Sequence, residues 1–571
     1  MPLVFERIDA APVPPQARQH WVRMRDGVRL ATDLYLPEDH ATEGERPDGG
    51  LPTVLIRLPY DKNSKYVYSD HIAGVFTSCG YAVVVQDVRG KFRSGGRTLP
   101  FLREPLDGYD TIEWIVRQPW SDGAVGMFGD SYYGFTQWAA VASEHPALRA
   151  IVPRVTTVDF NATVRRWDSE TARTGKPVWL EGIEYYAHHW VGNAGYEYEP
   201  DRTVRPFIEQ YEQVFAAIGA RSTWFDLLAP GHTDVLHALG RHPFDARPVP
   251  VLHCVGWYDN IGLPNMRDYL ALAVRPAWNA VQYLWAGAID HENYQLDLAP
   301  VAPENDHGAD EEALKRMMAG YTGPAVEFFE VFLKGTRPAS SLARVTWELG
   351  HAGWRTAESW PPPGAVEHVL HLGAPADAVR SLPGGTLADE ATEGEESVQW
   401  AYDPESPVPS AVPDSFAYLQ HHPDVADTVA RDDVLVFSGP ALTSPLDLAG
   451  PVTLDLHVSS SAPVFDVFAR LLDVAPDGSA RMIVRGQTTV RQEPAGDETP
   501  IELGHTGYRL RAGHRLALML ASSDYPMYLP ASGSTENPWT VSVAKPSTQT
   551  LRTGAAAPSR LTVTTAPPMA G

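Results

Sequence analysis

Short runs of β-branched residues alternate with amphipathic helical patterns in the first part of this chain, and this alternation constrains its fold most strongly. The runs include Val54–Ile56 and Ala82–Val85, which are too short for a buried helix. The segment from about 107 to 117 has apolar residues available to face a sheet. Strands and helices that alternate in this way predict a mostly parallel sheet packed against helices, which is the α/β fold class.

Two changes of pattern divide the 571 residues, a length that exceeds what one hydrophobic core supports. From about 161 to 245, tryptophan and tyrosine are dense and helical stretches dominate, which predicts a helical cap inserted into the α/β domain. After about 345, short alternating strands separated by Gly and Pro turns are typical of a β-sandwich or jelly roll. The predicted α/β domain comprises residues 1–160 and 246–345. The predicted helical cap comprises residues 161–245, and the predicted C-terminal β jelly-roll domain comprises residues 346–571.

The net charge of the chain disfavours some classes of binding partner. The formal net charge is −25, whereas DNA, RNA and anionic membranes need clustered Lys and Arg. We therefore expect no nucleic-acid partner and no membrane partner. A strongly acidic surface serves solubility, and attraction of cationic substrates is the alternative interpretation.

Cysteine use and the amino terminus bear on location. The two cysteines, Cys79 and Cys254, lie in apolar stretches and are too few for a disulfide framework. Residues 1–7 show no basic head followed by an apolar core, and no run of about 18 apolar residues occurs. These features predict a cytoplasmic protein, and a homo-oligomer is compatible with them.

Motifs for cofactors and metals are missing from the sequence. It contains no P-loop, no dinucleotide fingerprint and no zinc motif. The acidic segment Asp473–Gly478 lacks the ligand spacing of a calcium loop and is typical of a hairpin turn. We therefore expect neither a cofactor nor a metal.

The strongest local signal for chemistry is the segment Gly129-Asp130-Ser131-Tyr132-Tyr133-Gly134, which lies between a strand-like run and a helical pattern. A nucleophile elbow needs this placement, because the sharp turn lifts the serine hydroxyl clear of the sheet and directs a helix N-terminus at the reacting carbonyl. The second glycine comes one position later than in the common G-x-S-x-G pattern. Ser131 is thus a candidate nucleophile, and a helix-capping serine is the alternative interpretation.

A candidate acid and a candidate base follow Ser131 in the order that an α/β-hydrolase requires. The predicted strand that ends at Val255 leads to Asp259, and the predicted strand that ends at Trp285 leads to His291. In such a triad, His291 accepts the proton of Ser131, and Asp259 fixes the imidazole tautomer and stabilises the imidazolium.

Three other residues compete for these roles. Asp290 is the alternative acid, but it is adjacent to His291, where backbone geometry seldom allows the carboxylate to meet the ring nitrogen. His253 and His307 are alternative bases, and His253 falls inside a predicted core strand. The sequence therefore favours Asp259 and His291.

Segments spread over nearly the whole chain form a distinctive set. They are Met24–Leu30, Pro59–Lys62, Gln86–Gly90, Gln118–Gly123, Gly129–Gly134, Gly256–Asp259, Pro476–Gly478, Gly513–Leu516 and Ser522–Pro526. With these segments the chain resembles the cocaine esterase and α-amino-acid ester hydrolase family, which is related to bacterial X-Pro dipeptidyl-peptidases. The elbow of that family is G-x-S-Y-x-G, which this sequence meets.

The resemblance implies an α/β-hydrolase domain with an inserted helical cap and a C-terminal jelly roll, both of which help to wall the active site. It also implies that the hydroxyl of Tyr60 and the backbone N–H of Tyr132 form the oxyanion hole. Two segments depart from the family pattern. Ile289-Asp290-His291 stands where the family often has W-S-H, and Leu551-Arg552-Thr553 stands where the family often has a histidine.

The function that these observations predict is a serine hydrolase that cleaves a small-molecule carboxylic ester or amide through an acyl-enzyme. Trp167, Trp179 and Tyr185 are candidates for the acyl side of the pocket. An X-Pro dipeptidyl-peptidase or an acyltransferase on the same triad is the alternative. From another class, a catalytically inactive hydrolase scaffold that serves as a binding module is a further alternative.

Overall fold

Ten strands in the described part of the chain form one sheet, and helices pack against it, which confirms the predicted α/β class. The computed structural model describes residues 5–38, 49–160, 166–169, 171–229, 241–379, 382–493 and 498–566. Across the sheet the strands are Gly353–Ala357, Val345–Leu349, Gln282–Gly287, Val251–Gly256, Leu148–Arg154, Ser121–Asp130, Leu51–Leu58, Ala82–Asp87, Arg29–Tyr35 and Arg18–Arg23.

The centre of this sheet is parallel. From Val345–Leu349 to Ala82–Asp87 each neighbouring pair runs in the same direction. All residues of Ala82–Asp87 are buried, as expected for a parallel strand with both faces covered. Arg18–Arg23 and Arg29–Tyr35 form an antiparallel hairpin at one edge. Because the carboxyl ends of the parallel strands meet at one edge, side chains that follow them come together there.

Helices connect the parallel strands and cover both faces of the sheet. They are Ser69–Ser78, Glu104–Val116, Ser131–Ser143, Gly262–Ala273, Pro276–Asn279 and Glu311–Phe332. Two buried apolar clusters, one containing Val83 and Phe329 and the other containing Leu55 and Trp138, lie between these helices and the strands. Within the described residues, no helix is both long enough and apolar enough to cross a lipid bilayer.

The last of these helices, Glu311–Phe332, contains a proline in its interior. It starts after Asp310, whose carboxylate accepts the backbone N–H of Ala313 at 2.7 Å. Pro324 lies inside the helix, and the local sequence therefore gave a weak helical signal there. Packing of buried side chains such as Met317 and Tyr321 against the sheet stabilises the helix in spite of this.

The inserted region is helical where it is described, and it also contains two short strands. Its helices are Leu180–His189, Ile208–Ile218 and Thr223–Leu228. The strand Gly195–Tyr198 pairs with Phe5–Ile8, so the start of the described chain contacts the insertion. The strand Thr174–Gly175 pairs with Ala480–Arg491 of the C-terminal region.

The C-terminal region is built from strands, as its alternating pattern predicted, and the strands pair antiparallel except for Gly385–Ala388 with Leu435–Ser438, which are parallel. With Thr174–Gly175 these strands form a second sheet system. They are Val366–Gly373, Gly385–Ala388, Glu396–Tyr402, Leu435–Ser438, Leu446–Ser460, Val464–Val474, Ala480–Arg491, Thr499–Leu510, Arg515–Ala521, Ser547–Thr553 and Arg560–Thr565. Two short helices, Tyr418–His421 and Ala426–Val429, lie in the same region.

The first sheet extends beyond residue 345, where the sequence predicted that the α/β domain ends. Val345–Leu349 pairs parallel with Gln282–Gly287, and Gly353–Ala357 pairs antiparallel with Val345–Leu349. Residues along Val345–Leu349 are alternately buried and half-buried. A pattern of period two fits an edge strand of either sheet, so the sequence alone did not assign this strand.

Candidate active site

Ser131 stands at the sharp turn between the strand Ser121–Asp130 and the helix Ser131–Ser143. Its φ is +50°, in the left-handed region that non-glycine residues seldom adopt. The turn therefore lifts Ser131 above the carboxyl end of the sheet, at the N-terminus of the helix. The predicted elbow position has the backbone geometry of a strained nucleophile turn.

Close packing explains the two glycines that flank this turn. A Cβ on Gly129 would lie 2.0 Å from Cδ2 of Tyr133, and a Cβ on Gly134 would lie 2.5 Å from Cγ2 of Thr156. Thr156 also donates its hydroxyl to the backbone oxygen of Ser131 at 2.6 Å. The glycine is needed three residues after the serine because that position, rather than the one before it, faces Thr156.

His291 and Asp259 meet at the same edge of the sheet. Nδ1 of His291 lies 2.8 Å from Oδ1 of Asp259, and both side chains are buried. Asp259 follows the strand Val251–Gly256, and its carboxylate also accepts the backbone N–H of Ile261 at 3.1 Å. With Nδ1 directed at Asp259, the other ring nitrogen of His291 is available for a proton from the cavity that Ser131 and His291 both line.

The alternative acid and bases have other roles in this structure. The carboxylate of Asp290 accepts the backbone N–H groups of Tyr294 at 2.9 Å and Leu419 at 2.7 Å. His253 is fully buried within the strand Val251–Gly256. His307 lines the cavity, where its Nε2 lies 2.9 Å from the backbone oxygen of Glu292.

Negative charge around His291 makes its imidazole a stronger base. Burial alone would lower the pKa of His291, but the Asp259 carboxylate, with smaller contributions from Glu292 and Asp130, raises that pKa to about 9. The neutral form can accept a proton, and the imidazolium that results is stabilised by the same carboxylates. The site is thus suited to remove a proton from a hydroxyl such as that of Ser131.

Tyr60 lies within reach of the elbow. It follows the strand Leu51–Leu58 and lines the same cavity as Ser131 and Tyr185. Burial raises the pKa of Tyr60 to about 12, although the nearby polar groups of Tyr185, Ser131 and the Tyr132 backbone oppose the rise. The phenol therefore stays protonated at neutral pH, and it can donate to an oxygen that acquires negative charge.

The backbone N–H of Tyr132 is in the first turn of the helix Ser131–Ser143, where N–H groups lack intrahelical acceptors. The side chain of Tyr132 points away into the core, where its hydroxyl donates to Glu104 at 3.0 Å and accepts the N–H of Phe101 at 2.7 Å. The residue therefore contributes its backbone, and not its phenol, to the neighbourhood of Ser131.

Buried charges fix the segment that carries Tyr60. Lys62 donates to the carboxylate of Asp33 at 2.7 Å, and both side chains have no exposed surface. The carboxylate of Asp61 accepts the backbone N–H of Ala11 at 2.6 Å, and Ser64 donates to the backbone oxygen of Tyr60 at 3.1 Å. These contacts hold the turn after the strand and thereby the direction of the Tyr60 ring.

The cavity has a volume of about 710 Å³. Among the three aromatic residues predicted for its acyl side, only Tyr185 belongs to the described wall. Trp167 instead packs against Arg491, whose Cζ lies 3.6 Å from the centre of the Trp167 ring. Trp179 stacks on Phe416 at 6.0 Å. Aromatic density in the insertion predicted a pocket, but it did not identify which rings face it.

The resemblance implied that the C-terminal region helps to wall the site, but sequence reasoning did not identify Phe416 as the residue that does so. The ring of Phe416 lies 5.0 Å from that of His291 in an edge-to-face contact. The adjacent Ser415 is bound by the carboxylate of Glu181, which accepts its backbone N–H at 2.7 Å and its hydroxyl. No local pattern marks Phe416, because its importance depends on tertiary packing against a distant loop.

Groups that would bind a metal are not found in the described residues. No set of three His, Cys, Asp or Glu side chains converges there with a geometry that would hold an ion.

Comparison with known proteins relates both regions of the chain to one family. Residues 26–293 match the family model of X-Pro dipeptidyl-peptidase (S15 family), and residues 339–562 match its C-terminal non-catalytic domain. Cocaine esterase of Rhodococcus sp. (strain MB1 Bresler) is 30% identical over 567 residues, which cover 89% of this chain and 90% of that protein.

Solved structures share the fold over nearly the whole chain. An α-amino acid ester hydrolase superposes with a TM-score of 0.76 at 22% identity, covering 97% of this chain and 98% of its own. An aminopeptidase from a marine sediment archaeon, Thaumarchaeota archaeon, also has a TM-score of 0.76 at 22% identity, covering 98% of both chains. At 22% identity, these two superpositions show that the fold is shared.

Replacement of Glu292 by Gln tests the electrostatic description of His291. Because Glu292 helps to raise the pKa of His291, Glu292→Gln should lower it. Only the neutral form of His291 can accept a proton from Ser131, so we expect labelling of Ser131 to gain rate as pH rises through that pKa. The rate at which a phosphonate labels Ser131 should therefore reach its half-maximum at a lower pH in Glu292→Gln than in wild type.

The matched control is Tyr66→Phe, because Tyr66 donates to Glu292 at 2.8 Å and carries no charge itself. This variant loses the hydrogen bond but keeps the carboxylate, so we expect a much smaller change in the pH profile. Equal profiles for wild type and Glu292→Gln would contradict the assigned role of Glu292.

Proposed function

Because the chain is a serine hydrolase that belongs to the X-Pro dipeptidyl-peptidase (S15) family, we propose that Ser131, Asp259 and His291 form its catalytic triad. The observation that carries this proposal is a convergence at one cavity. There Ser131 lies in the left-handed turn and His291 is hydrogen-bonded to Asp259 at 2.8 Å. The proposed reaction is the cleavage of a small carboxylic ester or an activated amide.

In the proposed mechanism, His291 removes the proton of Ser131 as the hydroxyl oxygen attacks the substrate carbonyl carbon. The carbonyl oxygen becomes an oxyanion, and we assign its stabilisation to the Tyr60 hydroxyl and the Tyr132 backbone N–H. The imidazolium then protonates the departing alcohol or amine, which leaves an acyl group on Ser131. Water activated by His291 attacks this ester, and collapse of the second intermediate releases the acid and restores the hydroxyl.

The charge of the cavity wall bears on the substrate. Its described residues include several carboxylates and no Lys or Arg. We infer that neutral or cationic substrates are preferred over anionic ones, since a carboxylate in the cavity would be repelled. The name of the Rhodococcus relative, cocaine esterase, is consistent with ester cleavage as the proposed activity.

The carboxylates of the inserted helix Leu180–His189 are already engaged. Glu181 binds Ser415, and Glu184 binds Arg202 and Tyr211. A dipeptidyl-peptidase needs a firm grip on a substrate ammonium, and these two groups are not free to provide it. We therefore rank ester hydrolysis above dipeptide release.

Both cysteines are free thiols, which supports the proposed cytoplasmic location.

Ser131→Ala tests the nucleophile. Loss of the hydroxyl removes the attacking group, so turnover on an active acyl ester should fall by at least about 10³-fold. Wild type, but not the variant, should become covalently labelled by an active-site phosphonate at residue 131. Ser143→Ala, at the other end of the same helix, is the control, because Ser143 only donates to the backbone oxygen of Ala140. Labelling of a different serine would refute the assignment.

Tyr60→Phe tests the oxyanion hole. The variant keeps the ring and loses the donor, and loss of one such donor costs roughly 10²–10³ in turnover. Tyr81→Phe is a matched control, since its buried hydroxyl donates to Glu330 at 3.1 Å outside the cavity. Thermal unfolding of both variants shows whether the fold is retained. Turnover of Tyr60→Phe within a few-fold of wild type would exclude the proposed role.

A panel of three substrates tests the reaction and the charge preference. We expect cleavage of p-nitrophenyl butyrate, and a kcat/KM at least about tenfold lower, equivalent to about 1.4 kcal/mol, for p-nitrophenyl hemisuccinate, its anionic counterpart. Gly-Pro p-nitroanilide should be the poorer substrate. If the anilide alone were cleaved, the peptidase alternative would replace the esterase proposal.

A further inference from the structure

Beneath the elbow, three side chains form a closed ring of hydrogen bonds. Arg154 donates from Nε to Oδ1 of Asp130 at 3.0 Å and from Nη2 to Oδ1 of Asn293 at 2.7 Å. Asn293 donates from Nδ2 to Oδ2 of Asp130 at 3.0 Å. Each member of the ring therefore contacts the other two.

This ring connects the two segments that supply the nucleophile and the base. Asp130 immediately precedes Ser131, and Asn293 lies two residues after His291. Asp130 and Arg154 are opposite each other on the neighbouring strands Ser121–Asp130 and Leu148–Arg154. The paired residues Asp130 and Arg154 thus anchor both the segment that carries Ser131 and the segment that carries His291.

The guanidinium at the centre of the ring has little freedom to move. The Arg154 side chain is 1% exposed, and its Cζ lies 4.4 Å from the ring centre of Tyr321 and 5.4 Å from that of Trp285. Planar stacking and a fixed fork of donors favour one orientation of an arginine. The ring of hydrogen bonds therefore has a defined geometry that it can impose on its neighbours.

The loop that contains His291 needs such support. Asn293 has a φ of +67°, a conformation that costs energy for a residue with a side chain, although Asn tolerates it better than most. Asp290 closes the other side of the loop through its bonds to the N–H groups of Tyr294 and Leu419. His291 thus lies between two anchored residues.

We propose that Arg154 and Asn293 are positioning residues, which bind the carboxylate of Asp130 and thereby set the placement of His291 relative to Ser131. This inference rests on the proposed function, because it assigns the ring a role in that reaction. The ring also neutralises Asp130 with a permanent cation. A buried carboxylate beside the nucleophile is tolerated for this reason.

An exchange of donor and acceptor tests this role. Asn293→Gly accepts the positive φ and removes both hydrogen bonds of the amide. Asn293→Asp places a second carboxylate against Asp130, and Asp130→Asn leaves Arg154 without its counter-ion. The double variant D130N/N293D restores one carboxylate, one amide and the same net charge, so the ring can close again with the two groups exchanged.

The measurements are kcat and KM on p-nitrophenyl butyrate, per active site titrated with a phosphonate, well below the unfolding temperature of each variant. Displacement of a reacting group by about 1 Å costs on the order of 10²-fold. We therefore expect Asn293→Gly to lose about this much kcat with little change in KM. D130N/N293D should have a higher kcat than either of its single variants.

The matched control is Glu144→Gly. Glu144 also has a positive φ, of 54°, and its carboxylate also accepts two hydrogen bonds, from Arg241 and from the backbone of Arg247, outside the cavity wall. Its turnover per titrated site should match wild type even if its unfolding temperature falls. This control separates lost stability from lost positioning.

Two outcomes would overturn the inference. One is an Asn293→Gly enzyme whose kcat per titrated site equals that of wild type, and the other is a double variant no better than its singles. Either result with an active wild type would leave the proposed function intact. A wild type that neither reacts with the phosphonate nor cleaves any ester would overturn both.

Discussion

The left-handed backbone of Ser131 is the constraint on which the rest of the site depends. This conformation costs roughly 1–2 kcal/mol for a residue with a side chain, and it persists because the surroundings leave no room for another. Gly129 and Gly134 allow Tyr133 and Thr156 to pack directly against the turn. The hydroxyl of Thr156 binds the backbone oxygen of Ser131. Packing thus holds the turn, and the turn raises the Ser131 hydroxyl above the sheet at a helix N-terminus.

Nearby carboxylates disfavour an oxyanion, yet several carboxylates surround this site. The structure directs the charge of these carboxylates to other groups. Asp130 is neutralised by Arg154, and Asp259 is directed at the far nitrogen of His291. Near Ser131, the Tyr60 hydroxyl and the Tyr132 backbone N–H are uncharged donors. The negative charge of Asp259 therefore strengthens the base, while the proposed oxyanion hole is built from uncharged donors. The separation depends on Tyr60 remaining protonated, which its pKa of about 12 ensures.

The sequence predicted the parts that obey local rules. The elbow at Ser131 and the order of Asp259 and His291 after successive strands each follow from short patterns. The triad roles and the oxyanion hole stay predictions. Contacts between distant segments were not predicted, because the wall at Phe416 and the ring through Arg154 arise from tertiary packing. The end of the first sheet was placed too early for the same reason, since an alternating strand fits either sheet.

Part of the cavity wall comes from the insertion and the C-terminal region rather than from the edge of the central sheet. Phe416, from the C-terminal region, contacts His291 on one side and Trp179 of the insertion on the other. Glu181 joins the same two regions through Ser415, and burial raises its pKa to about 7. Because these groups hold the wall without supplying the nucleophile or the acid, changes in them can alter the shape of the cavity while the sheet edge keeps its geometry. In the proposed mechanism the sheet edge therefore holds the triad, while the insertion and the C-terminal region shape the rest of the cavity.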